Sequence, residues 1–384
     1  MSRRDGVRLH LPALALAAGL LAGCSSLPGF LGGGPERPKP AELAPNPQLL
    51  GVRQAWSARV GAVDFPLSVQ VNGTRVTVAS GDGTVAVFDA QTGQEQWRAS
   101  VGAALAGGVG SDGRRVAVVT RENELVALAD GAVQWRQPLG AQSYTPPLVA
   151  GERVFVLAAD RSVTGHDGAS GRRLWSLQRP GEALVLRQAG VMLPVGDTLV
   201  VGQGGRLAGV NPLTGSVRWE APIASSRGTN DVERLVDLVG RASRQGDSVC
   251  ARAFQAAVGC VDAARGTLSW TRRANGSDGL DGDERLLYGT EADGRVVAWQ
   301  RATGEPAWTH EQLQWRKLSA PLVIGRSVAV GDDAGFVHLL SREDGRLLDR
   351  LTTDGSGIAA APILAGNTLV VVTRSGGVFG FVPN

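Results

Sequence analysis

Asp89-Ala-Gln-Thr-Gly93-Gln-Glu-Gln-Trp97 is the stretch on which the fold turns. Its first five residues have the chemistry of a tight turn: an Asp whose carboxylate can accept the following amides, and a Gly for a left-handed backbone. The last four resume an extended segment that ends on a large aromatic. Upstream, Arg75-Val-Thr-Val-Ala79 and Thr84-Val-Ala-Val-Phe88 flank Gly81-Asp-Gly83, which reads as two strands joined by a glycine turn. The Gly-x-x-x-Trp frame recurs at Gly131…Trp135, Gly171…Trp175, Gly215…Trp219, Gly266…Trp270 and Gly304…Trp308, and once more as Gly345…Asp349 without its Trp. Trp56 opens the series with no Gly before it, and successive positions from 56 to 349 are separated by 41, 38, 40, 44, 51, 38 and 41 residues. A period near 40 built of β-type segments is that of propeller blades.

Pro146-Pro-Leu-Val149, Ala320-Pro-Leu-Val323 and Ala361-Pro-Ile-Leu364 announce a further strand ahead of each hairpin, so each repeat holds four. Trp56 has no strands before it, while the strands of 361–382 have no Trp strand after them. The economical solution is an all-β, eight-bladed propeller of four-stranded antiparallel blades, its ring closed by pairing the N-terminal strand with the C-terminal strands, which leaves no long free edge. On this reading seven of the nine Trp share one role between blades, and Trp299 and Trp315 stand outside the frame. The 53 Gly are mostly turn punctuation, and a Trp excess over 2 Tyr and 8 Phe reports architecture. Hydrophobic residues at 43% and charged residues at 20% exclude a disordered chain, and a net charge of +3 is too near balance to argue for nucleic acid.

Ahead of the repeats, Arg3, Arg4 and Arg8 precede an apolar run from Leu11 to Leu21, about half of the roughly 20 residues a spanning helix needs. Leu21-Ala-Gly-Cys24 resembles a bacterial lipobox, which implies cleavage before Cys24 and its acylation, palmitate included. The expected organisation is a signal peptide over 1–23, a lipidated flexible tether over 24–49 rich in Pro, Gly and Ser, and the propeller over 50–384. Acyl chains on one cysteine suffice for stable anchoring, so the membrane is touched through lipid only. Ser25, in place of an acidic residue, points to the outer membrane with the propeller in the periplasm.

Asp89-x-x-Thr-Gly93, Asp167-x-x-Ser-Gly171 and Asn211-x-x-Thr-Gly215 ahead of a Trp strand are similar to pyrroloquinoline-quinone-type repeats. Together with the lipobox, the size and two insertions, the chain resembles the BamB family, lipoprotein subunits of the outer-membrane β-barrel assembly machine. The resemblance implies a non-enzymatic scaffold without a cofactor, bound to the POTRA domains of BamA within the Bam complex and assisting nascent outer-membrane proteins. The alternatives are a quinone-dependent periplasmic dehydrogenase and a carbohydrate- or peptidoglycan-binding propeller. Against the dehydrogenase, the chain lacks the adjacent cysteines of that class, and Asp89, Asp130, Asp167 and Asp262 recur where turns do. A sugar site would draw on Trp299, Trp315, Tyr144 and Tyr288. His10, His166, His310 and His338 fall in unrelated segments and give no metal-ligand spacing.

The two longest intervals locate function, because propellers bind through loops that depart from the repeat. Pro180-Gly-Glu-Ala-Leu-Val-Leu-Arg187 and the segment from Ser225 to Val239 resemble the family's BamA-contacting loops, which implies Leu184, Leu186 and Arg187 as apolar and cationic contacts and Asp237 as the acidic one. Val239 stands where the family often has a second acid. Cys250 and Cys260 remain as an even pair; alignment of Asp262 with Asp89 puts them opposite each other across a hairpin, where a disulfide and two buried thiols are both open.

Overall fold

The computed structural model describes residues 38–179, 186–225 and 236–384. The signal sequence, Cys24 and most of the tether lie outside the described residues, as does Leu184. Pro40–Asn384 forms one compact unit. Its strands make eight four-stranded antiparallel sheets, the propeller that the period requires. The first strand, β1 (Val52–Arg59), is the outermost strand of the last blade, paired with Gly377–Pro383. Blade one is then β2 (Gln70–Asn72), β3 (Arg75–Ala79), β4 (Thr84–Asp89) and β5 (Glu95–Ser100), from the axis outward.

Burial follows strand position. The second and third strands of a blade face neighbouring blades on both sides, so β3 and β4 are near-continuous Val and Ala, with Val76, Val78, Val85 and Ala86 wholly buried. The outer β5 alternates between exposed and half-buried positions. Turns between first and second strands, and between third and fourth, gather at one end of the ring; the remaining connections gather at the other, here called the loop face.

The Gly-x-x-x-Trp frame works as two halves of different locks. Gly93, at φ +71°, lies under the ring of Trp56 from the preceding blade, and a Cβ added there would sit 2.6 Å from Cδ2 of the indole. The indole nitrogen of Trp56 donates to the carbonyl of Ala90 in the same turn (2.8 Å). Trp135 bonds Gly168 O (2.9 Å), Trp175 bonds Pro212 O (2.9 Å), Trp270 bonds Arg301 O (2.7 Å) and Trp308 bonds Arg342 O (3.0 Å) in the same manner. Each Trp thus docks on the glycine turn of the next blade.

This arrangement accounts for Asp349. The blade that would receive a Trp from position 349 is the last one, whose corresponding turn is replaced by two separate stretches of chain, joined by a hydrogen bond from Asn384 N to Gly51 O (2.7 Å). No turn exists there for an indole to cover. Asp349 is instead buried and accepts a bond from Asn46 Nδ2 (2.9 Å), which also donates to Arg350 O (3.0 Å). Leu49 N bonds Leu348 O, Ala41 N bonds Gln314 O, and Leu43 packs into the apolar cluster around Leu313 and Leu318. The tether expected over 24–49 therefore ends earlier: residues 41–49 form a strap along the outer edge of the seventh blade. Sequence composition, rich in Pro and without period, concealed this because its bonds are to residues some 300 positions away.

Trp299 is buried in the strand Val296–Gln300 beneath the guanidinium of Arg252, and Tyr288 is fully buried, so neither is open to a sugar. Trp315 is exposed at φ +64°. Cys250 and Cys260 are register partners joined as a disulfide, with Cα atoms 4.0 Å apart.

Candidate partner-binding face

The loop face carries the residues singled out by the insertions. Leu186 and Arg187 lie in the connection between the strands Arg173–Leu177 and Met192–Val195, and Asp237 ends the connection before Leu238–Gln245. These connections belong to adjacent blades and are tied together: Gly240 N donates to Ala189 O (2.8 Å), and Gly190 pairs with Val239. Gly190 N is held in turn by the hydroxyl of Thr145 (2.9 Å). The segment around Arg187 is therefore anchored irregular backbone, not part of a blade strand.

Arg187 is exposed and its guanidinium lies over the ring of Tyr144, 5.6 Å from the centroid. Such stacking orients a cation without neutralising it. Leu186 is half-buried beside it. Asp237 differs from the expectation of an outward acidic contact: one carboxylate oxygen accepts from Arg161 Nη2 (3.1 Å) and the other from the backbone amide of Leu186 (3.2 Å). Only about a sixth of its side chain is exposed (16%). It clasps the two segments instead of projecting from them.

Arg161 was not legible in the sequence as a site residue, and Tyr144 stood there only as a candidate for a sugar site. They enter from a turn of the third blade and from the second-to-third connection, and the stacking of neighbouring blades brings them to Arg187 and Asp237. Arg161 itself is at φ +62°, and its carbonyl accepts from the buried side chain of Gln203 (2.7 Å).

Beside this cluster the axis of the ring opens as a cavity of about 800 Å³, with Arg187 on its wall. Among the described residues no three His, Cys, Asp or Glu side chains converge as a metal site. Three of the four recurrent aspartates cap turns: Asp89 accepts the amides of Gln91 (3.1 Å) and Thr92 (3.0 Å), Asp167 that of Ser170 (2.8 Å), and Asp262 those of Ala264 (3.1 Å) and Arg265 (3.0 Å).

Blades of this construction, Trp-locked through a glycine turn, define the class of quinoprotein-like propellers. The quinohemoprotein alcohol dehydrogenase of Comamonas testosteroni superposes with a TM-score of 0.67 at 15% identity over 87% of this chain and 77% of that one, a likeness of fold alone. The profile of the family described as outer membrane protein assembly factor BamB matches residues 81–310. A BamB of Burkholderia pseudomallei is 37% identical over 375 residues, 97% of each chain, and that of Bordetella pertussis is 37% identical over 360 residues, 93% of this chain and 92% of its own. The crystal structure of BamB from Moraxella catarrhalis superposes with a TM-score of 0.79 at 26% identity, covering 86% of this chain and 99% of the other. The chain belongs to the BamB family.

Proposed function

We propose that this chain is a non-enzymatic subunit of the machinery that assembles β-barrel proteins in the outer membrane, and that it docks on the POTRA domains of BamA through Leu184 together with Leu186 and Arg187, the latter two on the loop face. The relatives are named as assembly factors of the outer membrane, which supports the cellular role. The observation that carries the docking surface is Arg187: exposed, without an ion-pair partner among the described residues, and held over Tyr144 next to an apolar neighbour. An oriented, unneutralised guanidinium beside a leucine is the composition of an interface hot spot. Asp237 serves this surface by fixing the backbone at Leu186. The chain is anchored by acylated Cys24, with the propeller in the periplasm.

Arg187→Ala combined with Leu184→Ala is expected to abolish co-purification with BamA from detergent-solubilised outer membranes while leaving the melting temperature unchanged. Retained co-purification would remove the assignment. For the anchor, Cys24→Ser is expected to abolish incorporation of labelled palmitate and release the protein from membranes; labelling that persists would refute it.

A further inference from the structure

The wall of the axial cavity carries nine ionisable side chains, and four of them are paired. Asp64 pairs with Arg121 (2.7 Å), Arg241 with Asp281 (3.6 Å), Glu291 with the buried Arg252 (2.9 Å) and Arg316 with Asp332 (3.0 Å). Among the described residues, the cations left on the wall without an ion pair are Arg187, Lys317 and Arg374. Lys317 and Arg374 are exposed and come from the connections of the seventh and eighth blades, across the ring from Arg187, which lies between the third and fourth. Asp278 and Asp333 are the unpaired acids of the wall. Burial pushes the Asp278 carboxyl above the usual range, against the pull of Arg252, Lys317 and Arg374, so it offsets these cations only in part.

Three unpaired cations against two unpaired acids, one of them with its carboxyl pushed up by burial, leave the wall of a cavity of about 800 Å³ with a surplus of positive charge. We infer that the axial cavity receives an acidic segment of the docked protein partner, with Lys317 and Arg374 taking its carboxylates while Arg187 holds the rim. A protein segment fits better than a small anion, because Arg187 stands across the ring from Lys317 and Arg374, and an extended acidic segment can span the ring where a single phosphate cannot. The inference rests on the docking reading above and extends its footprint from the third and fourth blades across to the seventh and eighth.

The test uses the full mature chain and the purified POTRA domains of BamA in calorimetry at about 50 mM and 300 mM salt, where charge-dependent association separates from the rest. Lys317→Glu with Arg374→Glu, both exposed and away from the Arg187 clasp, is expected to bind about tenfold more weakly at low salt, to lose most of the salt dependence, and to melt like the parent. Wild-type affinity in that variant, with Arg187→Ala defective, overturns the inference and leaves the docking reading standing. Absence of binding by the parent chain overturns the docking reading; a hexaglutamate peptide then decides the cavity, since binding to the parent and not to the charge-reversed variant upholds it and binding to neither sinks it. Equal competition by inorganic phosphate at matched ionic strength would make the cavity a general anion site and also overturn the inference.

Discussion

At the scale of single residues, the position of a carboxylate decides its role more than its identity does. Asp237 has an acid's charge but spends both oxygens inside the protein, on Arg161 and on the Leu186 amide. Arg161→Ala, a change at a residue with only 13% of its side chain exposed, is therefore expected to weaken BamA binding several-fold by loosening the Leu186–Arg187 backbone. Were Asp237 a direct contact, Arg161→Ala would leave affinity unchanged while Asp237→Asn would reduce it. On the positioning reading Asp237→Asn, which can still accept from the Leu186 amide, retains more affinity than Asp237→Ala. Surface plasmon resonance on the three variants separates the two accounts.

Gly93 is a second case. Its φ of +71° and the indole stacked upon it each exclude a side chain. Gly93→Ala is expected to cost about 1–3 kcal/mol, read as a lower denaturation midpoint with an unchanged slope. Gly73, also at positive φ but with open space around its Cβ direction, should lose less from the same change.

At the scale of elements, the Trp lock and the strap are two answers to one requirement, that neighbouring blades be tied at the outer strand. Removing a lock by Trp135→Ala deletes both a buried ring and its bond to Gly168 O, at an expected cost of about 3–5 kcal/mol. Restoring the consensus at the exception should fail: Asp349→Trp meets no receiving turn and strips Asn46 of its side-chain acceptor, so thermal melts are expected to show destabilisation where repeat statistics would suggest gain. A rise in melting temperature would contradict the account of the missing Trp. The disulfide ties the second and third strands of the fifth blade, and its sequence separation of 10 gives a loop-entropy contribution of about 2–3 kcal/mol. Cys250→Ala with Cys260→Ala should lower the melting temperature by a corresponding amount and leave BamA binding intact.

At the scale of the whole molecule, three histidines couple the ring to pH. Burial lowers the pKa of His166, His310 and His338, the last against the hydrogen bond its Nε2 makes with Asp332 (3.0 Å). A histidine whose folded pKa lies below its unfolded value of 6.5 takes up protons more readily when unfolded. Stability is then full above about pH 6.5 and falls as pH drops through that value toward the folded pKa, by at most about 1.4 kcal/mol per pH unit for each residue. Burial works to raise Asp332, but the bond from His338 and the amides of Phe336 and Ala334 hold its carboxyl below the usual range, so it adds a further loss at still lower pH. Calorimetric scans at pH 7.5 and 5.5 are expected to show a lower melting temperature at the acid end, with the difference reduced in His338→Gln.

The repeat made the architecture legible because a blade is a local object. A strand's burial on both faces writes itself as Val-Ala-Val-Phe, a turn with positive φ writes itself as Gly, and the spacing of those marks counts the blades. Ring closure also followed, since a strand without a hairpin and a hairpin without a strand must find each other. What lies between blades did not follow. The burial of Trp299 under Arg252, the strap of residues 41–49 on the seventh blade, the clasp of Asp237 by Arg161 and the gathering of Arg187, Lys317 and Arg374 around one cavity all join residues from separate repeats. By itself the sequence determined the number of blades and their strands, because those depend on hydrogen bonding and burial within some forty residues, and the closure of the ring, because the unmatched strand at one end and the unmatched hairpins at the other leave each a single partner. Only the tertiary structure decided which side chains meet on the loop face, because the ring brings them together across distances in sequence over which no local pattern is written.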